Sequence, residues 1–327
     1  MRKILIMPYF GIFPSYFDLW LHSCGKNKNI DFLVVTDNPE PADLPKNVKW
    51  IQTGFAELSR SFQDKMGFRI WLKNPYKLCD YKGFYGYLFS DYLRGYDFWG
   101  YCDCDVIFGS IEDFLTEELF EKYDKLLRTG HLSFIRNTPE INENFFRYNT
   151  YKRVMTSPVI YGYDEAVDGY RKGFAGELLD QGFRFYQNDA MPADIDFRHF
   201  PMRVVTDPKD CCVFHYHDGM LFRAYQMNGQ LCQQQVIYVH LQKRKMVVEA
   251  DVRKNEFLIR PNMFTRWQPA WLSDRAFWDE VSEEREDYFD FKQEQKNERI
   301  RDLHRLLYEP NKLACLRYRM KSKGKNA

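Results

Sequence analysis

No stretch of these 327 residues is apolar for long enough to cross a bilayer. The opening Met1-Arg2-Lys3-Ile4-Leu5-Ile6-Met7-Pro8 has the charged start of a secretory leader, but its apolar run is short and Pro8 interrupts it. A cytoplasmic protein is therefore expected. The eight cysteines include no Cys-x-x-Cys pair, which excludes the usual zinc frameworks and leaves free buried thiols in a reducing compartment. A basic stripe is missing and the net charge is only +1, so nucleic acid is not an expected partner. There is no glycine-rich phosphate loop and no further carboxylate cluster of the kind a nucleotidyltransferase or phosphohydrolase needs. Repeats and low-complexity linkers are absent as well. Apolar and aromatic side chains are plentiful, at 45% and 17%, enough for a large core. Most of the 28 Phe and 22 Tyr belong in that core or at its rim, and surface rings among them would suit sugars or bases.

The chain reads as strands alternating with helices. Residues 4–7, 31–37 and 48–51 are short buried-strand patterns, and 16–24 is helical between the first two. Phe84, Leu88 and Tyr92 recur every four residues, predicting a helix that stops near Gly95. Residues 98–102 and 132–136 are strands, 164–181 is helix-like, and 236–240 is a late strand ending on His240. Residues 275–307 are charged with helical spacing. Such alternation predicts an α/β fold with a mostly parallel sheet, whose ligands bind at the carboxyl ends of strands. Pro8, Thr36-Asp37 and Asp103 all fall at such ends. Two units are expected: residues 1–250 as the nucleotide-binding part, and 251–327 as a helical extension with a basic tail.

Asp103 and Asp105 carry the most chemistry. They end the run Phe98-Trp99-Gly100-Tyr101-Cys102 and precede Val106-Ile107-Phe108. Residues two apart in an extended chain point the same way, so two carboxylates converge at a strand mouth. They repel unless a cation lies between them, and oxygen ligands suit Mg2+ or Mn2+. An ordinary solvated turn is the alternative, although the apolar flanks speak against it. Such an ion would grip the diphosphate of a nucleotide-activated substrate. His240 is a third candidate ligand, since neutral imidazole can hold Mn2+; the alternative is a core or surface histidine. Lys243 and Arg244 follow it and would neutralise a departing diphosphate, or form a plain solvated loop. Asp80 would accept from ribose hydroxyls, and Lys77 or Lys82 would meet phosphate; otherwise they are a helix's favourable first turn.

These segments together resemble glycosyltransferases of the GT-A fold. Asp80-x-Lys82, the helix, and residues 96–111 are most similar to bacterial polysaccharide-cluster transferases long classed as a domain of unknown function. Met7-Pro8-Tyr9-Phe10-Gly11, Tyr76-Lys77-Leu78-Cys79-Asp80 and Tyr238-Val239-His240-Leu241-Gln242-Lys243-Arg244 share the likeness, which spans roughly residues 1–250. More distantly the chain is similar to glycogenin-like and lipopolysaccharide galactosyltransferase families. The resemblance implies that Asp103, Asp105 and His240 hold Mn2+ on a nucleotide-sugar diphosphate, with Asp103 near the ribose. It also implies that Pro8, Tyr9, Gly11, Thr36 and Asp37 line the nucleoside pocket. One departure stands out: relatives carry Ser-Asp-x-x-Arg where this chain has Cys79-Asp80-Tyr81-Lys82.

The expected activity is transfer of a sugar, from a UDP-sugar, to a surface polysaccharide or lipid-linked oligosaccharide. A non-catalytic carbohydrate-binding module is the other reading. An inverting enzyme needs a carboxylate base, for which Asp164, Glu165 and Asp189 rank ahead of Asp194 and Asp196. Residues 312–327 carry six cations and no acid, leaving residues 1–311 at −5. With Leu313, Leu316 and Met320 among them, they would form either an interfacial helix on anionic lipid or a frayed terminus. Trp267, Trp271 and Trp278 would stack on acceptor sugars or anchor helices.

Overall fold

The computed structural model describes residues 1–166, 172–208, 210–242, 244–251 and 254–308, with backbone only at 302 and 304–308. Its strands, in chain order, are β1 (Lys3–Pro8), β2 (Ile30–Thr36), β3 (Val48–Gln52), β4 (Phe98–Cys102), β5 (Val106–Phe108), β6 (Lys125–Leu126), β7 (Leu132–Arg136) and β8 (Phe185–Tyr186). They continue as β9 (Pro192–Asp194), β10 (Cys212–His217), β11 (Met220–Met227), β12 (Gln230–Gln235), β13 (Tyr238–His240), β14 (Val247–Val248), β15 (Glu256–Arg260) and β16 (Met263–Thr265).

The first sheet has the order β3-β2-β1-β4-β7-β6-β8. Parallel pairing joins β3, β2, β1 and β4, while β7 pairs antiparallel with both of its neighbours. The expected α/β class with a mostly parallel sheet is what forms. Residues alternate along β1 between two cores. Leu5 and Met7 pack with helix α1 (Phe17–Lys26), and Ile4 and Ile6 pack with helix α2 (Phe55–Met66). Burial on both faces explains the near-continuous apolar runs. In α2, Leu58, Phe62 and Met66 lie at fourfold spacing on the buried face, and Gly67 ends the helix at φ 70°. Gly100 is demanded by close approach, because a Cβ there would sit 2.0 Å from the Ser133 carbonyl oxygen on β7.

A small sheet, β5-β13-β9, stands beside the first. Its register sets His240 opposite Val106 on one side and Asp194 on the other. The third sheet, β12-β11-β10-β15-β16-β14, begins as a meander. Asp218-Gly219 and Asn228-Gly229 turn its hairpins with positive φ at all four residues, as two-residue hairpin turns require. The boundary expected at 250 falls inside this sheet: β15 pairs with β10, so residues on either side of 250 share one set of hydrogen bonds.

Other expectations shift locally. The stretch around Phe84 is 3-10 over Pro75–Phe84, one α-turn at Tyr85–Leu88, then 3-10 again at Ser90–Tyr92. In the 164–181 stretch the described helix is Phe174–Asp180. The late strand is shorter than expected, and 275–307 contains two helices, Arg275–Ser282 and Phe291–Tyr308. Trp271 stacks on Phe277 and Trp278 is buried, so both anchor the first of these helices. The basic tail lies outside the described residues. No described helix is long and apolar enough to cross a membrane.

Candidate functional site

In the first sheet the chain runs from β1 outward to β3 and then crosses to β4 on the other side of β1. A crevice opens at such a reversal, beyond the carboxyl ends of the strands. A cavity of about 780 Å³ lies there, lined by Pro8 at the end of β1, by Tyr9 and Phe10 just after it, and by Asp103, Cys104 and Asp105 after β4. His240, Gln242 and Lys245 close it from the β13 side, and Tyr76, Cys79 and Lys82 from the 3-10 segment.

Backbone contacts fix the two aspartates. The Trp20 indole N–H of α1 donates to the Asp103 carbonyl (3.1 Å), and the Leu241 amide donates to that of Asp105 (2.9 Å). The pairing of β13 with β5 brings His240 against them. His240 Nε2 lies 3.4 Å from an Asp105 oxygen, and its Nδ1 lies 2.7 Å from Asp194, which also accepts from Gln242 (2.8 Å). One ligand atom from each of Asp103, Asp105 and His240 falls within a 4.8 Å group. Two carboxylates and one imidazole, with the second ring nitrogen held by a carboxylate, fit a divalent cation such as Mn2+ or Mg2+.

Charge at the site is balanced by protons and by Lys82. Burial alone would lower the His240 imidazole, but hydrogen bonds to Asp105 and Asp194 outweigh it and push it up to about 10. Lys82 donates to Asp103 (2.6 Å) and to the Gly130 carbonyl (3.0 Å). Burial opposes its charge, yet Asp103 and Asp164 hold its pKa above the ordinary value. His131 stacks on His240 with ring centres 3.8 Å apart, and its Nδ1 lies 3.2 Å from the Tyr238 hydroxyl. Burial and the neighbouring His240 push the His131 imidazole down.

The other expected residues divide into groups. Gly11, Thr36 and Asp37 shape the loop rather than the cavity wall. The Gly11 amide donates to Asp37 (3.0 Å) at φ 104°, and the Asn38 amide group bridges Thr36 and the Gly11 carbonyl. Lys77 and Asp80 depart from the expectation of nucleotide contact. Both are buried, paired at 2.7 Å, and Asp80 accepts the amides of Tyr161 (2.9 Å) and Tyr163 (3.2 Å) while Lys77 donates to the Val159 carbonyl. Arg244 also departs. It reaches the cavity wall, but its terminal nitrogens donate to the carbonyls of Asp196, His199, Phe200 and Pro201 and to Asn262, a fork held by backbone rather than left for phosphate. Lys243 lies outside the described residues, and exposed Lys245 also lines the cavity.

Among the candidate bases, Asp189 is exposed, bonded to Gln187, and away from this cavity. Asp164 and Glu165 lie behind Lys82, where Glu165 accepts the Gly130 amide. Burial, opposed by Lys82, pushes the Asp164 carboxyl up to about 7. Asp194 proves more central than its place among the bases suggested. Its signal was only that it shared a stretch of acids; the parallel pairing of β9 with β13 brings it to His240.

A model described as a family of unknown function (DUF6625) matches residues 5–268. No curated protein sequence matches the chain. Among solved structures, the galactosyltransferase LgtC, in complex with donor and acceptor sugar analogs, is 12% identical with a TM-score of 0.33, over 59% of this chain and 75% of its own. The apo-form glycosyltransferase GlyE of Streptococcus pneumoniae TIGR4 is 13% identical with a TM-score of 0.27, over 57% of this chain and 45% of its own. Scores this low carry no argument about chemistry, which has to come from the side chains.

Proposed function

Because the chain belongs to DUF6625, a family of unknown function, its activity has to be read from its own site, and we propose that it is a metal-dependent glycosyltransferase of the GT-A type. The donor is a nucleotide sugar, with a UDP-sugar as the first choice. The acceptor is a surface polysaccharide or a lipid-linked oligosaccharide. The observation that carries the reading is the convergence of Asp103, Asp105 and His240 on a cavity at the chain reversal between β1 and β4.

A bound Mn2+ or Mg2+ supplies charge neutralisation for the leaving diphosphate. Asp103 and Asp105 offer it oxygens, and His240 offers Nε2 once its proton has left. Asp194 keeps the imidazole oriented through Nδ1. Pro8, Tyr9 and Phe10 form an apolar wall for the nucleoside, and Lys245 adds positive charge at the rim. Lys82 balances Asp103 until the donor's phosphates arrive. The catalytic unit extends beyond 250 to include β15 and β16.

One observation favours a second reading. Lys82 already sits on Asp103, and the protonated His240 already bridges Asp105 and Asp194, so cations of the chain itself could meet the diphosphate without metal.

A thermal-shift screen of nucleotide sugars with and without Mn2+ tests both. The true donor raises the melting temperature by mass action. A rise only with Mn2+, lost in Asp105→Ala, supports the metal reading. An equal rise in chelator supports the second. No rise with any sugar nucleotide overturns donor binding altogether.

A further inference from the structure

A second group of ligating side chains lies on the third sheet, away from the cavity. His215 and His217 are two apart on β10 and so share a face, the one opposite Phe214 and Tyr216. Register sets Glu256 of β15 directly across from His217 and diagonal to His215. His215 Nε2 and His217 Nδ1 each lie 3.0 Å from the same Glu256 oxygen. Trp267 stacks on the His215 ring at 3.7 Å between centres, 12° from parallel, and holds that imidazole's orientation. Among the described residues, the ion-pair partners of Glu256 are the two imidazoles.

We propose that His215, His217 and Glu256 bind a divalent transition-metal ion, Zn2+ first, at a site separate from the cavity. All three ligand atoms fall within 4.8 Å of one another. Bonds of about 2.0–2.2 Å in a tetrahedron set ligand atoms about 3.3 Å apart. Each imidazole nitrogen already lies 3.0 Å from the Glu256 oxygen, close to that spacing. Two nitrogens and one oxygen favour zinc-like ions over Mg2+ or Ca2+, which demand oxygen. His217 is about half exposed, which leaves an entry path and an open coordination position for water. The ion would tie β10 to β15, and so join the residues beyond 250 to the meander. The inference rests on this cluster alone and does not depend on the cavity's role.

The test uses the full-length chain carrying Asp105→Ala and His240→Ala, so that the cavity's ligands are removed. After chelator treatment it is titrated with Zn2+ by calorimetry and with Co2+ by visible absorption. One Zn2+ per chain, a raised melting temperature and the intense Co2+ bands of a four- or five-coordinate site are expected. Adding His217→Ala, or the near-isosteric Glu256→Gln, should weaken binding by more than the roughly 10–100-fold that loss of an outer-shell partner costs, with far-UV circular dichroism unchanged. Absence of Zn2+ binding in the parent overturns the proposal. So does unaltered binding in Glu256→Gln, which keeps the fold testable if His217→Ala does not.

Discussion

Two acid–lysine pairs, close together in sequence, behave in opposite ways. Asp80 and Lys77 are fully buried and saturated: the carboxylate holds two backbone amides and an ammonium, and the ammonium holds a carbonyl as well. Asp103 and Lys82 also pair, but Asp103 is about one-third exposed on a cavity, with Asp105 and His240 beside it. The residue types are the same. What separates a staple from a binding group is how many lone pairs are already committed, and whether water can reach the rest.

The contrast can be broken from either side. The largest effect should come from Asp80→Asn, which leaves the Lys77 ammonium buried without its counter-charge. Removing one partner of a buried pair costs about 3–5 kcal/mol, so chemical denaturation should show a loss of that order while donor affinity of the folded fraction is retained. On the cavity side the expectation reverses. Asp194→Asn should leave the melting temperature of the metal-free protein nearer to wild type but weaken Mn2+ binding roughly 10–100-fold by calorimetry. Equal stability losses in the two variants would dissolve the distinction.

His240 gives a pH-dependent version of the same test. Its ordinary value is 6.5 and here it lies at about 10. A raised pKa means that its ion pairs stabilise the metal-free protein fully below pH 6.5, and that this contribution fades as pH rises through 10. Metal needs the neutral ring, so apparent Mn2+ affinity should climb with pH across that window, by at most about tenfold per unit. His240→Gln should flatten both slopes; calorimetry at pH 6.5 and 8.5 suffices to see it. The smallest effect belongs to Lys245→Ala. As a rim charge it should change donor KM by less than about tenfold, and the change should shrink in high salt.

Much of this was legible in the sequence. The runs at β1, β2 and β4 are apolar because both faces are covered, and the aspartates stand out because they interrupt such a run. Asp218-Gly219 and Asn228-Gly229 are hairpin signals in plain sight, yet no strand is predicted between Cys212 and Gln235; the polar β12 hides the alternation. Other features were invisible for a physical reason. Arg244 follows His240 just as a phosphate-binding residue would, and nothing local reveals five carbonyl and amide oxygens waiting around its fork. Asp194 matters through a parallel pairing across 46 residues, a contact that no spacing rule reports. Lys77 and Asp80 sit three apart, as a surface pair would, and only the fold covers them.

The pairing of β10 with β15 has a practical meaning for anyone handling this protein. A polypeptide stopped at 250 would leave β10 with an open, hydrogen-bond-hungry edge and strip Leu258, Phe277 and Trp278 from the face holding Val213 and Ala224. Open edges of that kind recruit other chains, so such a fragment should precipitate. One carried through Ser282 keeps that edge occupied and that face covered.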